Sequence, residues 1–400
     1  LVESMRQWVT SGAAAQLALI ASFFSLSISK PAFFLCLLAA IILFGASNHF
    51  PAAWRDMRML PWMPPALVLA ALPLLSVFIH GYSDHAELNL SYYWAAAFLV
   101  YLAAGRLPVR PWMWAFVLGV FTVFCYVQIF FPGRVEFARG LAALGNYILY
   151  SQFLAIGVVL LSILYRHEER RSLKLVCLAG MALLFYGLVS GDGRSGLVSL
   201  LILLPVVVGN LFVRSNRRMI LIGCLIGVTL VVMSPRVQKR IDAGLNDIRL
   251  MQQNQHNTSL GYRYDMWRTA LDVIVEYPVL GAGPGGFGKA WNRRHLTPEA
   301  VHFVEPHNAF LFYAASYGLV GLAALLWLYA AMLWTGWRCR HSMEGSIVFA
   351  FAVICVMGSL TNTMFMGAVS LAWMMLFTGL QGSLQAAFPR PLAHAKEAAA

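Results

Sequence analysis

Ala-Phe-Leu-Phe-Tyr-Ala-Ala-Ser-Tyr-Gly-Leu-Val-Gly-Leu-Ala-Ala-Leu-Leu-Trp-Leu-Tyr, residues 309–329, carries no charge and no proline. As a helix it is long enough to cross the roughly 30 Å hydrocarbon layer of a bilayer. Val304-Glu-Pro-His-Asn308 leads directly into it. A polar pair, His307 and Asn308, therefore stands where the chain enters an apolar medium.

Runs of the same kind recur along the chain. The spacing predicts spans near 13–29, 31–47, 64–80, 90–104, 112–131, 147–165, 173–190, 195–212, 219–233, 307–336, 345–365 and 368–386. Hydrophobic residues make up 60% of the 400, charged residues only 12%, and mean hydropathy is +0.69. A soluble domain of this length could not hide that much apolar surface. The runs are continuously apolar rather than alternating, which excludes a β-barrel. The expected fold is thus an all-α polytopic membrane protein of about twelve transmembrane helices. Residues 1–233 hold the first nine helices, 234–306 form one large external loop with amphipathic helices, 307–388 hold the last three, and 389–400 form a tail.

The basic residues set the orientation. With the N-terminus inside, sixteen Lys and Arg fall in inner segments, Arg110, Arg170 and Arg338 among them. Only Lys30, Arg134, Arg139 and Arg194 fall in short outer loops. Sixteen against four is a strong positive-inside bias and places both termini in the cytoplasm. Most of the net charge of +12 is accounted for by this topology. The inner positives are scattered over short loops, so nucleic acid is not an expected partner. Five cysteines fall inside spans and Cys339 in an inner loop, a distribution that gives no disulfide framework. The first span shows no cleavage-site pattern and reads as a retained helix.

Within the external loop, Tyr262–Glu276 reads as an amphipathic helix. Trp267, Ala270, Leu271 and Ile274 follow the spacing of one buried face. Arg263, four residues before Trp267, shares that face, where it either snorkels or meets an anion. Pro278–Gly288 is glycine-rich, but no strand precedes it and no βαβ unit surrounds it, so it reads as a structural turn and not as a dinucleotide fingerprint.

Two further outer connections carry arginine: Ser190-Gly-Asp-Gly-Arg-Ser-Gly196, and Pro132–Gly140 leading into Gly145-Asn146. A single such arginine is more often an interfacial anchor than a ligand. As a set on the side otherwise poor in positive charge, Arg134, Arg139, Arg194 and Arg263 suit a diphosphate, which a guanidinium fork binds bidentately. Helix N-termini add to the same field. His307, preceded by Pro306, is read as lying in the first turn of the tenth span, where a neutral ring could accept a proton from a sugar hydroxyl. A metal site is the competing reading. His302, Glu305 and His307, or Asp84, His85 and Glu87, lack the spacing of a helical metal motif, and no metal is expected.

These motifs resemble the O-antigen ligase/polymerase superfamily. The resemblance rests on Arg263-x-x-x-Trp267 in the loop, then a glycine-rich turn, then His307-Asn308-x-x-Leu311 with Tyr317-Gly318-Leu319-Val320-Gly321. Arg194 in Gly-Arg-Ser-Gly and Asn146 after an arginine-bearing loop fit the same pattern. The resemblance implies a GT-C-like glycosyltransferase of the bacterial inner membrane with a periplasmic active site, inverting and without cofactor. Its donor would be undecaprenyl-diphosphate-linked O-antigen and its acceptor the lipid A-core oligosaccharide, with membrane lipids around it. His307 would be the catalytic base, with Arg194, Arg263, Arg139 and Arg134 at the diphosphate and Asn308 and Arg268 in support. Asn308 could orient a partner or only cap the helix. A polymerase joining repeat units and a transferase acting on protein hydroxyls share these motifs. The ligase branch fits best, because no large domain follows the last span. From a different class, a lipid-linked-sugar transporter would need polar groups deep in the spans and internal repeats, and neither is evident.

Overall fold

The computed structural model describes residues 2–47, 61–81, 109–131, 147–191, 193–211, 217–294 and 302–364. Those residues form helices and no strand. The first group comprises α1 (Val2–Thr10), α2 (Ala13–Ser25), α3 (Lys30–Gly45), α4 (Met63–His80) and α5 (Val109–Phe130). Then come α6 (Tyr147–His167), α7 (Arg171–Ser190), α8 (Arg194–Leu211) and α9 (Arg217–Val232). The polar segment that follows holds α10 (Pro235–Gln252), α11 (Ser259–Glu276) and α12 (Gly286–Arg294). Two apolar helices complete the described chain, α13 (Ala309–Arg338) and α14 (Met343–Ser359).

These helices overlap ten of the twelve expected spans, and the segments 90–104 and 368–386 lie outside the described residues. By length and hydropathy five are long enough to cross a membrane, α4, α5, α6, α7 and α13, or six if the bent pair α9–α10 counts as one. Four shorter apolar helices, α2, α3, α8 and α14, accompany them. Large apolar side chains such as Leu35, Phe78, Ile129, Leu175 and Leu221 stand exposed on these helices. Water would penalise that surface and lipid does not. The chain is a multi-pass helical membrane protein.

The bundle is built around α6. It is 89% buried, against 28% for its neighbour α7, and it packs on α7, α8 and α14. Close approach to α8 depends on Gly196, where a Cβ would lie 2.0 Å from the Ser151 carbonyl oxygen. A second core lies in the 259–303 segment, where Met266, Ala270, Val273, Phe287 and Trp291 pack on Ala315 of α13.

One helix is broken. Gly318 takes φ 66° and ψ −165° within α13, so the run quoted above is two helical pieces. The glycine-rich turn fills the break. Ala282 and Gly283 N–H donate to the carbonyls of Ala315 and Ser316 (2.8 and 3.1 Å), and Leu319 N–H donates to Pro278 O (2.8 Å). Backbone meets backbone so closely that a Cβ on Gly318 would lie 2.1 Å from Val279 O. The stretch read as a turn is one, with Gly281, Gly283 and Gly285 all at positive φ. Its added role is to satisfy backbone groups that a broken helix would otherwise leave open.

Candidate functional site

The starts of α6, α8 and α13 gather at one end of the bundle with the end of α14. Ser151 Oγ of α6 lies 3.5 Å from Ser195 Oγ of α8 and accepts from Gly196 N–H at 3.1 Å. Gln152 Nε2 is 3.5 Å from the same Ser195 hydroxyl. The same Nε2 lies against Gly358 of α14, and two residues on, Leu360 O accepts from Asn308 Nδ2 at 3.4 Å. These contacts bring the start of α8, which Arg194 opens, and the residue next to His307 to the same end of the bundle. Three helix N-termini at one place concentrate positive dipole ends there.

Asn308 is the N-cap of α13. Its Oδ1 accepts from Leu311 N–H at 3.1 Å, and the side chain is buried. Of the two roles open to it in the sequence, capping is the one the side chain performs, and capping is what asparagine does well at such a site. The expectation that His307 lies in the first helical turn is corrected. Because the cap is Asn308, Pro306 sits outside the helix, and His307 adopts φ 50°, a left-handed backbone that turns the strap before α13.

Three contacts hold that strap. Trp267 Nε1 donates to Pro306 O at 3.1 Å. Phe303 is gripped by Tyr262 and Trp291, with ring centroids 5.7 and 5.2 Å away. It also sets its ring edgewise to His307 at 6.0 Å. Against His307 itself stands Glu305, with Oε1 3.2 Å from Nδ1. The approach has ion-pair distance without hydrogen-bond alignment, since neither Nδ1 nor Glu305 Oε2 makes a hydrogen bond among the described residues. The sequence reading weighed Glu305 only as a metal ligand. Spacing alone gave no signal, because the strap bends at residues 304, 305 and 307 and His307 is left-handed.

The buried face of α11 is also corrected. Met266, Thr269, Ala270 and Val273 are buried, whereas Trp267 and Leu271 are 38% and 53% exposed. The face is rotated by one residue because Trp267 lies at the edge, where its indole N–H reaches Pro306 O. Arg263, one turn before Trp267, is half-buried, and Arg268 is exposed. Arg194 opens α8. Arg134, Arg139 and Asn146 lie outside the described residues, as do Asp84, His85 and Glu87. His302 turns to Asn292 Oδ1 at 3.0 Å, and no group of three metal-ligating side chains occurs among the described residues.

One basic residue near this end was not singled out in the sequence. Arg240 of α10 reaches back to donate from Nη2 to Gly191 O, clamping the turn that precedes Arg194. It borders an apolar groove of about 430 Å³ between α8, α9 and α10, lined by Leu197, Leu201, Val231, Ile241 and Leu245.

Residues 179–326 match the family model described as O-antigen ligase. Over that segment the chain is similar to the O-antigen ligase family. The matched segment contains Arg194, Arg263, Arg268, Glu305, His307 and Asn308, while Arg134 and Arg139 precede it. An uncharacterised protein of Haemophilus influenzae is similar to the chain, 35% identical over 137 residues, or 31% of this chain and 34% of that relative. The similarity thus spans about a third of the relative's length.

Proposed function

We propose that the protein is an inverting, metal-independent glycosyltransferase of the O-antigen ligase type. It transfers O-antigen from undecaprenyl diphosphate to the lipid A-core oligosaccharide at the periplasmic face of the bacterial inner membrane. Twelve spans with both termini in the cytoplasm form its scaffold. The observation that carries this reading is the position of His307. It is half-buried, on a strap held by Trp267 and Phe303, at the bundle end where α8 begins with Arg194.

In this reading the acceptor hydroxyl oxygen attacks the anomeric carbon from the side opposite the diphosphate. His307 takes the hydroxyl proton as the new C–O bond forms. The bond to the diphosphate breaks, and the electron pair leaves on its oxygen. Arg194, Arg263, Arg139 and Arg134 hold that oxygen and its neighbours, and Arg268 adds positive potential. Fixed cations aimed at developing charge in a site poor in water are strong transition-state stabilisers. Arginine stays charged throughout.

Purified protein incubated with lipid-linked glycan and lipid A-core tests the reading. Covalent transfer to the core supports it. Lengthened glycan still on the carrier would instead assign the polymerase reaction, and transmembrane movement without transfer would remove the enzyme reading altogether.

A further inference from the structure

Glu305 has no structural work that the strap requires. Asn308 caps α13, Trp267 fixes the Pro306 carbonyl, and the Phe303 ring anchors the segment among aromatics. Even so, the Glu305 carboxylate is drawn in until its side chain is only 20% exposed, with Oε2 sealed from solvent. A carboxylate taken from water without a partner is costly, and an ionised one can only accept. The nearest ring nitrogen is His307 Nδ1, at 3.2 Å and equally sealed. The imidazole as a whole remains 32% exposed, so its open surface lies on its other atoms.

We infer that Glu305 is a positioning residue that holds the His307 ring as the Nδ1–H tautomer, so that Nε2 carries the lone pair that meets the substrate proton. A carboxylate beside one ring nitrogen fixes which nitrogen is protonated and which way the ring points. A small rotation about either side chain aligns the N–H with Oε1. The left-handed backbone at His307 brings the two side chains onto one side of the strap. The inference rests on His307 acting as the base, and its test must separate the two.

Nitrogen NMR of the full-length protein labelled at histidine, in lipid nanodiscs, reads the tautomer without reference to activity. The His307 signal is assigned by its loss in His307→Asn. The wild type is expected to show Nδ1–H, and Glu305→Leu a mixture of tautomers. Transfer from lipid-linked glycan to lipid A-core should slow by about 10–100-fold in Glu305→Leu, the scale on which groups that orient a reacting residue act. The KM for donor should hold, and Glu305→Gln, which keeps an acceptor in place, should recover most of the rate. An Nε2–H ring in the wild type overturns the inference, and that measurement stands even if Glu305→Leu does not fold. An unchanged tautomer and rate in folded Glu305→Leu also overturns it. If the tautomer behaves as expected but His307→Ala transfers glycan normally, the assignment of His307 as base fails, and the pairing with Glu305 remains as geometry alone.

Discussion

The two ends of the bundle treat charge in opposite ways. At one end five described cations are engaged. Arg110 donates to His167 O and lies 3.9 Å from Glu168, and Arg166 reaches Asn210 at 3.3 Å. Lys174 lies over Tyr165, Arg338 over Trp334 and Arg340 over Trp337. At the other end, Tyr150 hydroxyl, Gln152 Oε1, Thr363 Oγ1, His307 Nδ1 and Glu305 Oε2 are buried without a hydrogen bond among the described residues. Buried polar groups are nearly always paired in proteins, so a cluster of such exceptions calls for a cause. The cation-rich end, where Trp112 Nε1 and Thr335 Oγ1 are likewise buried without a hydrogen bond among the described residues, anchors the protein at an interface, as cations and aromatic rings do. The unsatisfied end has hydrogen-bonding capacity to offer a ligand, and it is the end that carries the proposed site.

Substitutions can break this contrast or sharpen it. The largest effect is expected at His307. Alanine there should lower transfer by about 10²–10⁴-fold, the usual contribution of a general base, while the protein still elutes as a folded species. Equal activity in the two proteins would leave the unsatisfied end without a chemical role. Next is Gly318→Ala, which places a side chain against Val279 O and asks a non-glycine residue to hold φ 66°. A loss of about 1–3 kcal/mol is expected from the backbone alone, read as a lower unfolding midpoint in detergent and accompanied by weaker transfer.

Trp267→Phe keeps an aromatic ring but removes the N–H that binds Pro306 O. About 1 kcal/mol of stability should go with it, and transfer should slow by less than in His307→Ala. Smallest of all is Glu168→Gln at the cation-rich end. The backbone N–H of Arg170, with that of Glu169 and with Arg110 nearby, holds the Glu168 carboxyl below its usual range. Its contribution is therefore present above the unfolded-state value and fades as pH falls through the lower folded value. Transfer should be unchanged by this variant. The small stability difference from wild type at neutral pH should vanish in acid.

Much of the architecture was legible because membrane helices declare themselves by length and hydropathy. His307 and Asn308 were legible too, being polar residues at the mouth of an apolar run. The break at Gly318 was not. A glycine inside such a run looks like a packing residue, and the partner that satisfies the break bonds through backbone, leaving no side-chain pattern to read. On α11, Met266, Thr269, Ala270 and Val273 are spaced as well as the four residues chosen from sequence. Only the reach of Trp267 to Pro306 decides between them. Glu305 was seen beside His302 and His307, yet its role depends on a strap whose backbone turns at φ 50°.

The union of α13 with residues 278–283 also bears on how the protein is made. Synthesis runs from the N-terminus, so the glycine-rich segment leaves the ribosome before Ser316 and Gly318 do. When the second half of that helix enters the bilayer, open carbonyls and amides at its break would be costly in lipid. The segment that covers them has by then already been synthesised. Insertion of this helix is thereby coupled to the folding of the segment ahead of it, and a defect in residues 278–283 should surface as failed membrane integration rather than as a damaged loop.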